Sequence, residues 1–155
     1  ELLYGRLVPM TIHPPHSHFV KVLTKLFVIA LGDRADVLVQ SPIASSDDSE
    51  PEPDLSIVPA ATYFDDHPSR ALLIIEVADS TLKKDRTVKA QLYAETGVPE
   101  YWIVDGNGAA IEVYSQPIDG RYSSVVRYSA GQTVSPTAFP DIVVSLDALF
   151  SVRSR

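Results

Sequence analysis

A chain of 155 residues with 45% hydrophobic content can bury one core, and the single expected domain spans residues 1–155. It has no cysteine, which excludes a disulfide framework and a thiolate zinc site and fits a reducing cytoplasm. The net charge of −7 argues against the broad positive footprint of a tight nucleic-acid binder.

Leu2 to Ile12 alternates loosely around Gly5 and reads as an edge strand or hairpin. This start lacks the basic-then-apolar order of a signal peptide, and Glu1 in place of methionine leaves room for residues upstream. His16 to Leu31 has helical spacing, with Phe19, Val20, Val22, Leu23, Leu26, Phe27 and Ala30 as an apolar stripe. Ser17 is the expected cap and Gly32 the stop. Its longest apolar run, Leu26 to Leu31, follows Lys21 and Lys25 and is too short to span a bilayer, so no membrane partner is expected.

Asp36 to Ser41 reads as a strand ending at Pro42, and Ser45 to Pro53 as an acidic loop. Asp54 to Val58 is a short strand, residues 59 to 69 a connector, and Arg70 to Ala78 a strand with a continuous buried run. Asp85 then caps a helix through Val88 and Leu92 that ends at Gly97 and Pro99. Glu100 to Asp105 turns through Gly106-Asn107-Gly108 into Ala110 to Ser115. Arg121 to Tyr128 adds a strand, and Ile142 to Leu146 with the tail closes the domain. This order implies an α/β (α+β) fold: a central mixed sheet flanked by helices, with additional hairpins.

Charge is distributed unevenly along these elements. Residues 47 to 66 hold seven acids and no Lys or Arg; taking seven from the 20 acids leaves 13, equal to the 13 bases. Lys83, Lys84, Arg86 and Lys89 surround only Asp85, a small basic rim able to contact a few phosphates. Beside that rim stand two acids in buried-looking strands, Asp54 after Pro53 and Glu76 within Leu72-Leu73-Ile74-Ile75-Glu76-Val77. Unpaired buried carboxylates cost several kcal/mol, so the pair calls for compensation. A connector symmetric about residue 65 would place positions 54 and 76 opposite each other, with Cβ atoms roughly 4.5–5.5 Å apart. Magnesium suits such a pair, being held by one or two carboxylates plus waters and phosphates. Lys89, with Tyr93 four residues on, could orient a water or stabilise developing charge. The competing interpretation is a structural ion pair of Glu76 with Lys89 or Arg86 and no metal.

The series Pro51-Glu52-Pro53-Asp54-Leu55, Ile75-Glu76-Val77, Asp85-Arg86 with Lys89 and Tyr93, then Gly97-Val98-Pro99-Glu100-Tyr101-Trp102-Ile103-Val104-Asp105 resembles the Uma-two family. These are restriction-endonuclease-like proteins of the PD-(D/E)XK nuclease superfamily, and the likeness runs from Gly5-Arg6-Leu7 and His18 to Phe150. The resemblance implies a restriction-endonuclease-like fold, Mg2+ with Mn2+ as a substitute, and cleavage of DNA phosphodiester bonds. It makes Asp54 and Glu76 metal ligands, with the backbone carbonyl of Val77 as a third donor, and Lys89 the catalytic cation. The superfamily's lysine two residues after the second acid falls at Ala78, so Lys89 is the expected substitute. His18, Tyr93 and Glu1 are accessory candidates, and a symmetric dimer is the geometric expectation for cutting two strands.

Other interpretations compete. Ala78 and the acidic surface favour a catalytically inactive nuclease-fold module that binds protein or nucleic acid. A self-associating structural protein is a third. His18 has helix capping as its plain alternative, and Tyr93 has helix packing. Zinc at His13, His16 and His18 lacks supporting spacing. Tyr101 and Trp102 are expected in the core, and Lys83 and Lys84 on a solvated face.

Overall fold

Six strands form the central sheet of the computed structural model, which describes residues 1–10 and 13–151. Thr11 and Ile12, in the first expected hairpin, and the tail beyond Ser151 lie outside the described residues. The strands are β3 (Ala35–Val39), β4 (Leu55–Pro59), β5 (Leu73–Ala78), β6 (Glu100–Asp105), β7 (Ala110–Ile118) and β8 (Arg121–Tyr128), in that spatial order. Only β5 and β6 run parallel; the other pairs are antiparallel. The expected mixed sheet is therefore present. The first segment forms two short strands, β1 (Leu2–Leu3) and β2 (Arg6–Leu7), around Tyr4-Gly5, both at positive φ.

β5 and β6 are buried along their whole lengths because both faces are covered, which explains their unbroken apolar runs. On one face lies α1 (Pro14–Leu31), whose Phe19, Leu23, Phe27 and Leu31 meet Ile57, Ile75 and Trp102. On the other lies a helical run of α2 (Leu82–Lys84), a π-helical turn (Asp85–Lys89) and α3 (Ala90–Glu95). There Tyr93 packs with Ile74, Tyr101, Ile103 and Tyr114. Tyr101 and Trp102 are core residues on opposite faces, as expected.

Three boundaries differ from expectation. α1 begins at Pro14, after His13, because prolines at the first two helical positions preset φ and need no partner for an N–H. Ser17 thus sits inside the helix rather than capping it. Asp85 is likewise inside its helical run, which opens after Thr81, and its carboxylate accepts from the Thr81 hydroxyl at 2.8 Å. The last hairpin is tighter and longer than expected: β7 continues to Ile118 and turns through Asp119-Gly120, both at positive φ, which suits the right-handed strand twist. The chain closes with β9 (Thr133–Val134), β10 (Val144–Ser145) and α4 (Leu146–Phe150), which Ser145 caps through the Ala148 N–H. Among the described residues no helix is long and apolar enough to cross a membrane.

Phe27 is fully buried and meets Trp102 edge to face at 6.1 Å. Phe27→Ala is expected to cost about 3–5 kcal/mol of stability, measured as a lowered denaturant midpoint.

Candidate metal and phosphate site

β4 and β5 pair with Leu55 opposite Ile75 and Ile57 opposite Leu73. Continued by one residue, this register sets Asp54 across from Glu76. Both acids are on the face covered by the helical run, since Ile74 and Ala78, which share that side of β5 with Glu76, pack there. Both are buried, at 5% and 6% exposure. Asp54 is held at two points: Oδ2 accepts from the Val77 N–H at 2.7 Å, and Oδ1 lies 2.9 Å from His16 Nε2. A residue from α1, on the opposite face, therefore reaches this acid at the end of β4.

Lys89 enters from the π-helical turn and is 1% exposed. Its ammonium donates to Glu76 Oε2 at 3.0 Å and to Glu1 Oε2 at 2.7 Å. The Tyr93 hydroxyl donates to Glu76 Oε1 at 3.3 Å. Glu1 also accepts from the Glu52 N–H at 3.0 Å and lies 3.7 Å from the Lys84 ammonium. Asp54, Glu76, Lys89 and Glu1 line one cavity of about 60 Å³, together with His16, Val77 and Asp85. Tyr93 stands behind Glu76.

The electrostatics follow from this crowding. Burial pushes the Glu76 carboxyl well up, and Asp54, Asp85 and Glu1 add repulsion that Lys89 only partly offsets. Burial likewise raises Asp85, against its bond from Thr81. For Glu1 burial is outweighed, and the nearby Lys89 charge holds the carboxyl below its usual range. Desolvation works against the Lys89 ammonium, but Glu76 and Glu1 raise its pKa, so it stays charged at neutral pH. The bond to Asp54 raises His16 despite its burial.

Five carboxylates, those of Glu1, Asp54, Glu76, Asp79 and Asp85, thus share the cavity with two ammonium groups, an excess of negative charge that a hard cation would relieve. Among the described residues no three His, Cys, Asp or Glu side chains are arranged to hold a metal ion. The donor set is nevertheless one that magnesium accepts, since two carboxylates plus waters and phosphate oxygens suffice. Each oxygen of Asp54 and Glu76 retains a second lone pair beyond the bonds described.

Two sequence expectations need correction. His18 is outside the cavity: it is half-buried, its ring packs against Phe19 at 5.7 Å, and its Nε2 has no hydrogen-bond partner among the described residues. His16 occupies the position assigned to His18. The signal was available, because His16 falls three, four and seven residues before Phe19, Val20 and Leu23, on the inward stripe. The basic rim is not free, since Lys89 is buried on Glu76 and Glu1, and Arg86 is paired with Glu112. Lys83 remains exposed, as expected.

Comparison with known proteins agrees with this architecture. The sequence model of the family described as Uma2, putative restriction endonuclease, matches residues 1–148. No curated protein matches the chain. A putative nuclease belonging to DUF820 from Anabaena variabilis ATCC 29413 is similar in structure, with a TM-score of 0.77 at 16% identity over 97% of this chain and 88% of that one. The type IIG restriction endonuclease BpuSI is similar at a TM-score of 0.50 and 16% identity, covering 96% of this chain but only 19% of that larger one. At such identities the likeness establishes the fold alone.

The raised pKa values of Glu76 and His16 give divalent-ion binding a definite sign with pH. Both shifts favour the protonated forms, which compete with an ion at Asp54 and Glu76, so affinity should rise as pH increases. Calorimetric titration with magnesium at about pH 6 and about pH 8 should show tighter binding and less proton release at the higher pH. His16→Ala leaves Asp54 pinned only by the Val77 N–H and is expected to weaken the ion about 10–100-fold.

Proposed function

This chain belongs to the Uma2 family of putative restriction endonucleases, and we propose that it is a divalent-metal-dependent endonuclease that hydrolyses DNA phosphodiester bonds. The observation that carries this reading is the convergence of Asp54, Glu76 and the buried Lys89 ammonium on one small cavity with surplus negative charge. In this reading Asp54, Glu76 and the Val77 carbonyl hold Mg2+, for which Mn2+ can substitute. Such an ion supplies Lewis-acid polarisation of a phosphoryl oxygen and lowers the pKa of a water.

The remaining work falls to the protein's own groups. His16 and the Val77 N–H fix the Asp54 carboxylate from two directions, so its orientation is set before substrate arrives. Lys89 keeps its proton and cannot serve as a base; its role is to stabilise negative charge on the phosphoryl group. Glu1 shares the Lys89 ammonium with Glu76 and holds it between two carboxylates. The Tyr93 hydroxyl steadies the second Glu76 oxygen. Lys83, exposed next to the cavity-lining Lys84, offers a charge to an approaching phosphate. A two-fold dimer would present a second such site to the opposite DNA strand.

A catalytically inactive nuclease-fold module that binds protein or nucleic acid is the second reading. It is favoured by Ala78 in the superfamily's lysine position and by the extent to which Lys89 and His16 already satisfy the two acids. The two readings differ in outcome. With magnesium or manganese, the endonuclease should nick or linearise DNA, and Asp54→Ala or Glu76→Ala should abolish both cleavage and ion binding. Lys89→Met should retain ion binding and lose about 10²–10³-fold in rate. Ion binding without cleavage of any DNA in the unaltered protein would leave the binding module.

A further inference from the structure

A second charged cluster lies on the same face of the sheet, outside the cavity. Glu76 on β5 pairs with Ile103 on β6, Ile103 with Glu112 on β7, and Glu112 with Arg127 on β8. These four residues form one row across four strands, their side chains on the face that the helical run covers. Glu76 and Glu112 are two strand spacings apart, roughly 9–10 Å. Lys89 and Arg86, three residues apart on the run above, each take one of these acids. Arg86 grips Glu112 with two nitrogens, Nε reaching Oε1 at 2.9 Å and Nη2 reaching Oε2. Arg127 holds Glu112 from the far side and reaches Asp105 Oδ2 at 3.0 Å.

The segment between these two grips is the π-helical turn. Its Ala90 N–H donates to the Asp85 carbonyl five residues back, and the Tyr101 hydroxyl donates to the same carbonyl at 3.1 Å. A π turn holds one residue more than an α turn, is rare, and persists where its surroundings favour it. Relaxing it to α geometry would rotate one side by about 100° against the other. Arg86 and Lys89 could not then both keep their carboxylates. The Glu112 clamp is suited to prevent this: Glu112 and Asp105 are each 5% exposed, and bidentate networks of this kind exceed isolated surface pairs in strength.

We propose that Glu112 and Arg127 are positioning residues for Lys89: they lock Arg86, and the lock holds the π turn in the register that delivers the Lys89 ammonium to Glu76. The geometric part stands on the contacts above, while its catalytic consequence rests on the reading of Lys89 as the site's cation. Neither Glu112 nor Arg127 touches the cavity, so a merely structural role would show only in stability.

The test uses Glu112→Gln and Arg127→Gln in the full chain, with two readouts. The first is the rate of Lys89 acetylation by acetic anhydride in the folded, metal-free protein, followed by mass spectrometry. Burial protects Lys89 in the unaltered chain, and both variants should raise its rate by about tenfold or more, with Lys21 and Lys25 as unaffected references. The second is DNA cleavage, where kcat should fall while KM stays within about twofold. The exchange Arg86→Glu with Glu112→Arg should restore part of the protection. Unchanged Lys89 protection in both variants overturns the proposal, even if cleavage falls. Absence of cleavage in the unaltered protein defeats the endonuclease reading but leaves the acetylation result to decide this one. Should Glu112→Gln fail to fold, Arg86→Gln, which releases the same grip from the helical side, decides alone.

Discussion

The Lys89 ammonium, almost wholly out of water and divided between Glu76 and Glu1, is the interaction on which the rest of the structure depends. Glu76 stands in the middle of a strand buried on both sides, where a carboxylate without a counter-ion would cost several kcal/mol. Lys89 supplies that counter-ion but does not balance the cavity, because Asp54, Asp85 and Glu1 bring further negative charge. The fold therefore concentrates acid where nothing apolar requires it. Such accumulation is poor economy for stability and good chemistry for holding a hard cation near a phosphate.

The two faces of the sheet divide the labour. α1 covers one face with an aliphatic and aromatic layer that ends on Trp102, and its first turn supplies His16 to Asp54. The other face carries nearly all the buried charge, set among Tyr93, Tyr101 and Tyr114. Tyrosines suit this face because their rings fill the core while their hydroxyls reach Glu76, the Asp85 carbonyl and Glu112. The helical run above can deliver two cations to one row of the sheet because its π turn interrupts regular winding. Fold, polar network and candidate site are thus one arrangement rather than a site grafted onto a neutral scaffold.

Much of this was legible in advance where local chemistry repeats a period. The continuous apolar runs of β5 and β6 identify buried strands, and the spacing of Phe19, Leu23 and Phe27 identifies α1. The register of Asp54 and Glu76 follows from the length of the connector between their strands. The errors arose where two signals competed. Ser17 is a good cap by composition, yet Pro14 and Pro15 start the helix earlier because their φ is already helical. His18 matched a family pattern, but helical phase turns His16 inward. The basic residues from Lys83 to Lys89 read as a rim when counted along the chain, although Arg86 and Lys89 are consumed by acids distant in sequence.

The sequence by itself determined the family, the mixed sheet with its flanking helices, and the three charged residues at its centre, because each is written in short-range periodicity or in residue types at fixed order. Only the tertiary structure decided which histidine meets Asp54, where the Glu1 carboxylate goes, and how Arg86 and Arg127 close on Glu112. Those contacts join residues 15 to 88 positions apart, and their partners are chosen by strand register and helical phase together. A one-residue change in either moves a side chain to another face, which no local pattern in the chain can report.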